Sequence, residues 1–458
     1  MIINLAQRAH DHNWELDPIV RSLLDTDFYK LLMLQFIWKH FPSTTVTFSL
    51  RNRGADLRFP ISPDDVRAQL DQIRDRRFHK SELIWLAGNT FYGRRGIFEP
   101  GFLEWLDHGF RLCDYRLSID NGQFLLGFHG LWTEATLWEI YALSTISELQ
   151  TRAALKHLSE FELDILYARA KTRLWNKMAQ LRGVPGLRVS DFGTRRRHSF
   201  LWQEYVVRAM ADTLGPGFTG TSNAYLAYKH DLEAIGTNAH EIPMALAALA
   251  HNEEELRQSQ YRVLELWQQS YHGELLILLP DTFGTTQFFR SAPDWVADWT
   301  GQRADSKDPF VAGEEYIAWL RQRGRDPEKK LFIASDSLDV DDILQLHATF
   351  AGRIQPGASP ADFQSAADFL AAGKWLPEPR IRFSAGWGTL LTNDFRDCNP
   401  QGHGFDPPRL VCKLQDAEGR PAVKLSDNFD KALGPPGEIE RYRRVFGLEG
   451  ISRRPVRT

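Results

Sequence analysis

Apolar and polar positions follow one rhythm before residue 182 and another after it. Residues 20–41, VRSLLDTDFYKLLMLQFIWKHF, are apolar with few breaks and predict a helix. Asp25 and Thr26 are its expected N-caps, and Phe41-Pro42 its expected stop. TTVTFSLR (44–51) alternates β-branched and aromatic residues with polar ones, a strand pattern. Residues 61–112 read as mostly helical. Residues 113–135 hold two strands, DYRLSI and FLLGFHG, either side of an Asn121-Gly122 turn. Helical spacing then fills 140–182.

Beyond 182 short apolar runs end in polar turns, and helical stretches separate them. The runs are GLRVSDFGTRR, GFTGTSNAYLA, IGTNAHEIP, LLILLPDTFGTT, GQRADSKDP, KLFIASDSLD and IRFSAGWGTLL. Short buried strands alternating with helices predict parallel β/α units. Their number and spacing suit a barrel of the usual size, about 250 residues, which carries its chemistry on the turns after the strands. From about 395 strand patterning returns in LVCKLQDAEGRPAVKLSD. The expected class is α/β. Residues 1–145 form an N-terminal α/β domain rejoined by 395–458, and 146–394 form the barrel-like catalytic domain.

Composition narrows the possibilities. The chain has 458 residues, with 55 basic against 59 acidic side chains and a net charge of −4. That balance argues against broad nucleic-acid binding, which needs an excess of Lys and Arg. Three cysteines with no CxxC pair exclude a disulfide scaffold or a thiolate zinc site and suit a reducing cytosol. The longest aliphatic run, 275–279, is too short to cross a bilayer. The N-terminal stretch is broken by Arg8, His10 and Asp11 before an apolar signal region forms. A cytoplasmic location is expected.

The candidate chemistry lies on the turns. Asp-Phe-Gly at 191–193 is the kinase triplet, but no kinase glycine loop, lysine or HRD loop precedes it. The arginines at 195–197 read better as anion clamps, since guanidinium binds phosphate through two bonds. GWGT, with Gly386, Gly388 and Thr389, can offer several backbone N–H groups to a phosphate. His240 precedes a helix. It is either a structural turn residue or a nucleophile that is neutral at pH 7. Asp281 is the expected carboxylate on its other ring nitrogen. The acids of RADSKDP and SDSLD suit ribose hydroxyls or Mg²⁺, or simply turn chemistry.

These motifs together resemble the nicotinate phosphoribosyltransferase family. LDTDFYKLLMLQ, FSLRNR, SDFGTRRR, FTGTSNAYLA, GTNAHEIPMA, LPDTFGTT, RADSKDP, SDSLD, GWGTLLTND and KLSDN run in family order from residue 24 to 428. The resemblance implies a type II phosphoribosyltransferase with an irregular, incomplete β/α barrel, usually a homodimer with shared active sites. It implies that nicotinate and phosphoribosyl pyrophosphate give nicotinate mononucleotide and pyrophosphate, with Mg²⁺ present and ATP hydrolysis coupled. His240 matches the histidine that ATP phosphorylates, and Asp281 the acid supporting it. Phe192 matches the residue that stacks on the pyridine ring; Tyr29 stacks on the opposite face and is expected from the partner subunit. Arg195 and Arg303 match residues that neutralise anionic groups. Asp305, Ser335 and Asp336 are expected near the ribose or 5′-phosphate, and Gly386 and Gly388 cradle that phosphate. Arg51 matches a basic residue reaching the phosphates, and Lys424 is a further candidate of that kind. Related nicotinamide enzymes carry aspartate where this chain has Ser222. A serine can donate to a carboxylate there, which favours nicotinate.

The chain departs from the family pattern in two places. Lys307 replaces the glycine of DSGD, so the turn differs or the lysine adds a phosphate contact. An insertion at about 355–379 precedes the glycine-rich loop. Competing readings are a nicotinamide or other pyridine phosphoribosyltransferase, a catalytically weak nucleotide-sensing paralogue, and, least favoured, a scaffold.

Overall fold

The computed structural model describes residues 17–52, 61–120, 123–351, 380–402 and 404–453. Strands before residue 182 are β1 (Thr45–Asn52), the short ribbon β2 (Thr90–Phe91) and β3 (Arg94–Arg95), β4 (Tyr115–Asp120) and β5 (Gln123–Leu131). The later ones are β6 (Val189–Asp191), β7 (Phe218–Thr221), β8 (Ile277–Leu278), β9 (Gly301–Ala304), β10 (Leu331–Ala334), β11 (Arg382–Trp387), β12 (Leu410–Ala417) and β13 (Arg420–Pro421).

Two sheets result. The first is antiparallel, in the order β13-β12-β1-β5-β4. Its β12 comes from the far end of the chain yet pairs along β1, from Val46↔Ala417 to Asn52↔Leu410. The second is a six-stranded parallel sheet, β7-β6-β11-β10-β9-β8. Its strands are short and nearly all buried, as strands covered on both faces must be.

This sheet is an open barrel, because the IGTNAHE run builds no strand. The residue just before it, Ala234, makes an isolated parallel bridge to Thr221. Gly220, at φ +133°, allows that approach; a Cβ there would sit 2.2 Å from the Glu233 carbonyl oxygen. The break leaves the segment from 234 to His240 free to follow the mouth of the barrel instead of closing it.

The helix Phe28–His40 (α1) is buried along nearly its whole circumference, as an all-apolar helix must be. It starts later than its sequence suggests. Asp27 holds the N-cap position. Asp25 instead accepts two bonds from fully buried Arg197, at 2.7 and 2.8 Å. Arg197 is therefore an internal tie and not an anion clamp. One large apolar cluster runs through both sheet layers. Among the described residues no helix is long and apolar enough to cross a membrane. The insertion at 355–379, the Asn121-Gly122 turn and the side chain of Arg51 lie outside the described residues.

Candidate active site

The turns after β6, β8, β9, β10 and β11 all lie at one rim of the parallel sheet, because parallel strands end on the same side. A cavity of about 940 Å³ opens there. Its wall includes Tyr29, Phe192, Arg195, His240, Arg303, Asp305, Ser335, Asp336, Gly386, Gly388, Thr389 and Lys424.

The turn after β6 is held by Asp191. Its carboxylate accepts from the Gly193 N–H (2.8 Å), Gln203 Nε2 (2.9 Å) and Thr221 Oγ1 (2.7 Å). Burial nevertheless raises its pKa to about 6. This anchoring aims the next residues, Phe192 and Arg195, into the cavity. Phe192 donates its N–H to the Trp387 carbonyl at 2.8 Å. Each aromatic ring sits on a glycine. A Cβ on Gly386 would stand 3.3 Å from the Phe192 ring, and a Cβ on Gly236 would stand 3.0 Å from Tyr29 Cβ and N. Tyr29 lines the cavity of its own chain, because α1 packs against the 234–240 segment at Gly236.

His240 is buried at the start of the helix Glu241–Leu249. Its Nδ1 lies 2.9 Å from Thr282 Oγ1. Its Nε2 lies 3.0 Å from Asp305 Oδ2 and 2.8 Å from Lys424 Nζ. Asp281 is not on the other ring nitrogen: it lies 3.7 Å from Nε2 and accepts from Ser306 Oγ at 2.6 Å. Thr282, the next residue, takes the expected place, because the chain turns through a short 3₁₀ segment there. Burial, and then the Lys424 ammonium, lower the His240 pKa; Asp281 and Asp305 oppose them. The ring is therefore neutral at pH 7, with Nε2 facing the charged groups. Burial works against Asp305, but its bond to His240, and the charges of Arg303 and Lys424, hold it well below the usual carboxylate range.

His240, Asp281 and Asp305 offer ligand atoms within 4.8 Å of one another. They do not fit a resident metal. The Lys424 ammonium already lies 2.8 Å from Nε2 and 3.5 Å from Asp281, where a bound cation would be repelled.

Two expectations change, those for Ser222 and Lys307. Ser222 does not reach the cavity wall; it is fully buried and donates to Asp27 Oδ1 at 2.7 Å. Asp27 in turn lies 3.8 Å from Arg195, so Ser222 touches the site through two neighbours. Lys307 points away from the cavity, donating to Thr286 Oγ1 at 2.8 Å and pairing with Glu315. Asp336 pairs with Lys431 and adopts φ +81°, a strained left-handed conformation for a non-glycine residue. Arg303 donates to the Asn238 carbonyl at 3.1 Å.

Sequence reasoning missed Tyr92, Glu139, Lys413 and Lys431, which also line the cavity. For Lys413 a signal existed, a lone lysine inside the strand run LVCKL. Glu139 had none, because it sits in a helix with no motif.

Fold and site together define an α/β-barrel protein with aromatic and cationic groups gathered at the C-terminal rim, the layout of a small-molecule enzyme site. The chain belongs to the nicotinate phosphoribosyltransferase (NAPRTase) family: that family matches residues 187–449, and the NAPRTase N-terminal domain matches residues 24–147. It is similar to the crystal structure of nicotinate phosphoribosyltransferase from Vibrio cholerae, at 29% identity and TM-score 0.78, over 95% of this chain and 95% of that chain. It is also similar to nicotinate phosphoribosyltransferase from Porphyromonas gingivalis, at 28% identity and TM-score 0.75, over 94% of this chain and 100% of that chain.

Proposed function

We propose that this chain joins nicotinate to phosphoribosyl pyrophosphate, releasing pyrophosphate, and that ATP drives the step through phosphorylation of His240. The pyridine nitrogen forms a bond to C1′ of the ribose as the C1′–O bond to pyrophosphate breaks. Phe192 and Tyr29 form a slot for a flat ring, and Arg195 and Arg303 supply charge for its carboxylate and for phosphate. Phosphoryl transfer needs a placed nucleophile and cationic clamps more than elaborate covalent chemistry. His240 suits the nucleophile: Thr282 holds Nδ1, and Nε2 is left to attack the ATP γ-phosphorus as ADP departs. Water later takes the phosphoryl group from the histidine as phosphate. Any Mg²⁺ would be brought by the phosphate groups of the substrates, since the acids beside His240 already face the Lys424 ammonium.

The observation carrying this reading is the buried His240, with Nε2 among Lys424, Asp305 and Asp281, on the same cavity as the aromatic pair. Preference for nicotinate rests on Arg195 and Arg303, with Ser222 acting only through Asp27. The test is pyrophosphate release from nicotinate, phosphoribosyl pyrophosphate and Mg²⁺, with and without ATP, in wild type and His240→Ala. Turnover stimulated by ATP in the wild type alone is expected. Turnover with nicotinamide in place of nicotinate, or equal ATP stimulation in both proteins, overturns the reading.

A further inference from the structure

Glu139 lies in the helix Trp138–Leu155, is buried, and is named by no motif. Its two carboxylate oxygens face different ways. Oε2 takes Lys30 Nζ at 2.8 Å, deep in the core. Oε1 takes Lys413 Nζ at 2.7 Å and lies 3.7 Å from Arg195 Nη1. Lys30 has a second partner in Glu241, which also accepts from Trp132 Nε1 at 2.5 Å. Lys30 is thus neutralised without Glu139, whereas Lys413 has no second carboxylate partner among the described residues. The Lys413 and Arg195 side chains remain 26% and 35% exposed to the cavity, while Glu139 is only 4% exposed behind them.

We infer that Glu139 is a positioning residue: it holds Lys413 of the antiparallel sheet and Arg195 of the barrel side by side, as a two-cation clamp for the pyrophosphate group of the substrate. The inference rests on the reading of the cavity as a phosphoribosyl pyrophosphate site. Its physical basis is charge crowding. Lys413 is surrounded by Arg195 and Lys30 in a poorly hydrated place. Burial lowers its pKa, both cations lower it further, and Glu139 is the group that raises it. Glu241 is spent on Lys30 and Trp132, and the neighbouring Cys412 thiol is pushed up by burial and uncharged. Without the Glu139 charge the Lys413 ammonium loses its proton more easily and is no longer tied to its place beside Arg195.

The test is calorimetric binding of inorganic pyrophosphate to the full chain at pH 7 and pH 9. Wild type, Glu139→Gln, Lys413→Met and the double variant are compared. Each affinity is taken as a ratio to wild type at the same pH, which cancels the ligand's own titration. Glu139→Gln is expected to lose a further factor of about ten between pH 7 and pH 9, as Lys413 deprotonates. Lys413→Met is expected to bind about tenfold or more weakly at both pH values. The double variant should match Lys413→Met, since the two residues act as a unit.

A Glu139→Gln ratio that does not move with pH overturns the inference, even if the variant is less stable, because a purely structural role alters stability alone. Effects that add in full in the double variant overturn it too. Should Glu139→Gln fail to fold, Lys413→Met still decides: wild-type affinity in that variant removes the clamp. A wild type that does not bind pyrophosphate at all refutes the phosphoribosyl pyrophosphate reading together with the clamp. Binding by wild type, with Lys413→Met unaffected, refutes the clamp alone.

Discussion

Gly236 offers a sharp test of whether Tyr29 belongs to the site. It adopts φ +142°, a region that L side chains rarely enter, and a Cβ there would stand 3.0 Å from both Tyr29 Cβ and Tyr29 N. The backbone nitrogen cannot swing aside, so Gly236→Ala must move either the 234–240 segment or the start of α1. The backbone strain costs about 1–3 kcal/mol. The displaced ring then loses part of an aromatic stacking interaction worth about 0.5–1.5 kcal/mol, which corresponds to a roughly two- to tenfold rise in KM for the pyridine substrate. Gly183→Ala is the control. Gly183 has φ +76°, but a Cβ there meets nothing within 4 Å, so it carries strain without a clash. Steady-state kinetics with nicotinate and thermal unfolding of both variants separate the terms. Both should unfold at lower temperature, and only Gly236→Ala should raise KM. Equal loss of stability with wild-type KM in both would refute a stacking role for Tyr29.

Further outcomes follow from the same geometry. Lys424→Met removes one of the two causes that keep His240 neutral, so its pKa should rise towards the ordinary 6.5, with burial still opposing. The ring is then protonated from a higher pH downwards, so the acid limb of ATP-stimulated turnover should move to higher pH; an unmoved limb removes Lys424 from that role. Ser222→Ala leaves the buried Asp27 carboxylate short of one donor and should cost about 1–3 kcal/mol, read by denaturant titration. Ser222→Asp sets a second carboxylate beside Asp27 and should reduce nicotinate kcat/KM by about tenfold or more through Arg195; unchanged kinetics would break the link from Ser222 through Asp27 to Arg195. Lys307→Gly restores the family residue and removes only the tie to Thr286 and Glu315. It should lower stability by about 1–3 kcal/mol with KM for phosphoribosyl pyrophosphate unchanged, and a raised KM would return Lys307 to the phosphate site.

By itself the sequence determined the α/β class and the order of the strand-end turns, because both are local. An apolar run between polar turns is a buried strand wherever it packs, and parallel strands put their following turns on one rim. That rule brings the turns bearing Phe192, Arg195, Asp305, Ser335 and Gly388 to the cavity, whereas Arg303 and Gly386 lie inside β9 and β11, and Arg303 was pointed out only by the family resemblance. The tertiary structure decided which nitrogen of His240 faces what, since Thr282 and Asp281 differ by one residue and only the turn fixes which one reaches the ring. It decided that Ser222 serves Asp27, that Arg197 serves Asp25, and that Lys307 faces Glu315, because a polar side chain goes to whatever partner burial leaves it. It also decided the pairing of β12 with β1 across the length of the chain. That long-range pairing brings Lys413 to Glu139, a contact that no periodicity or spacing encodes.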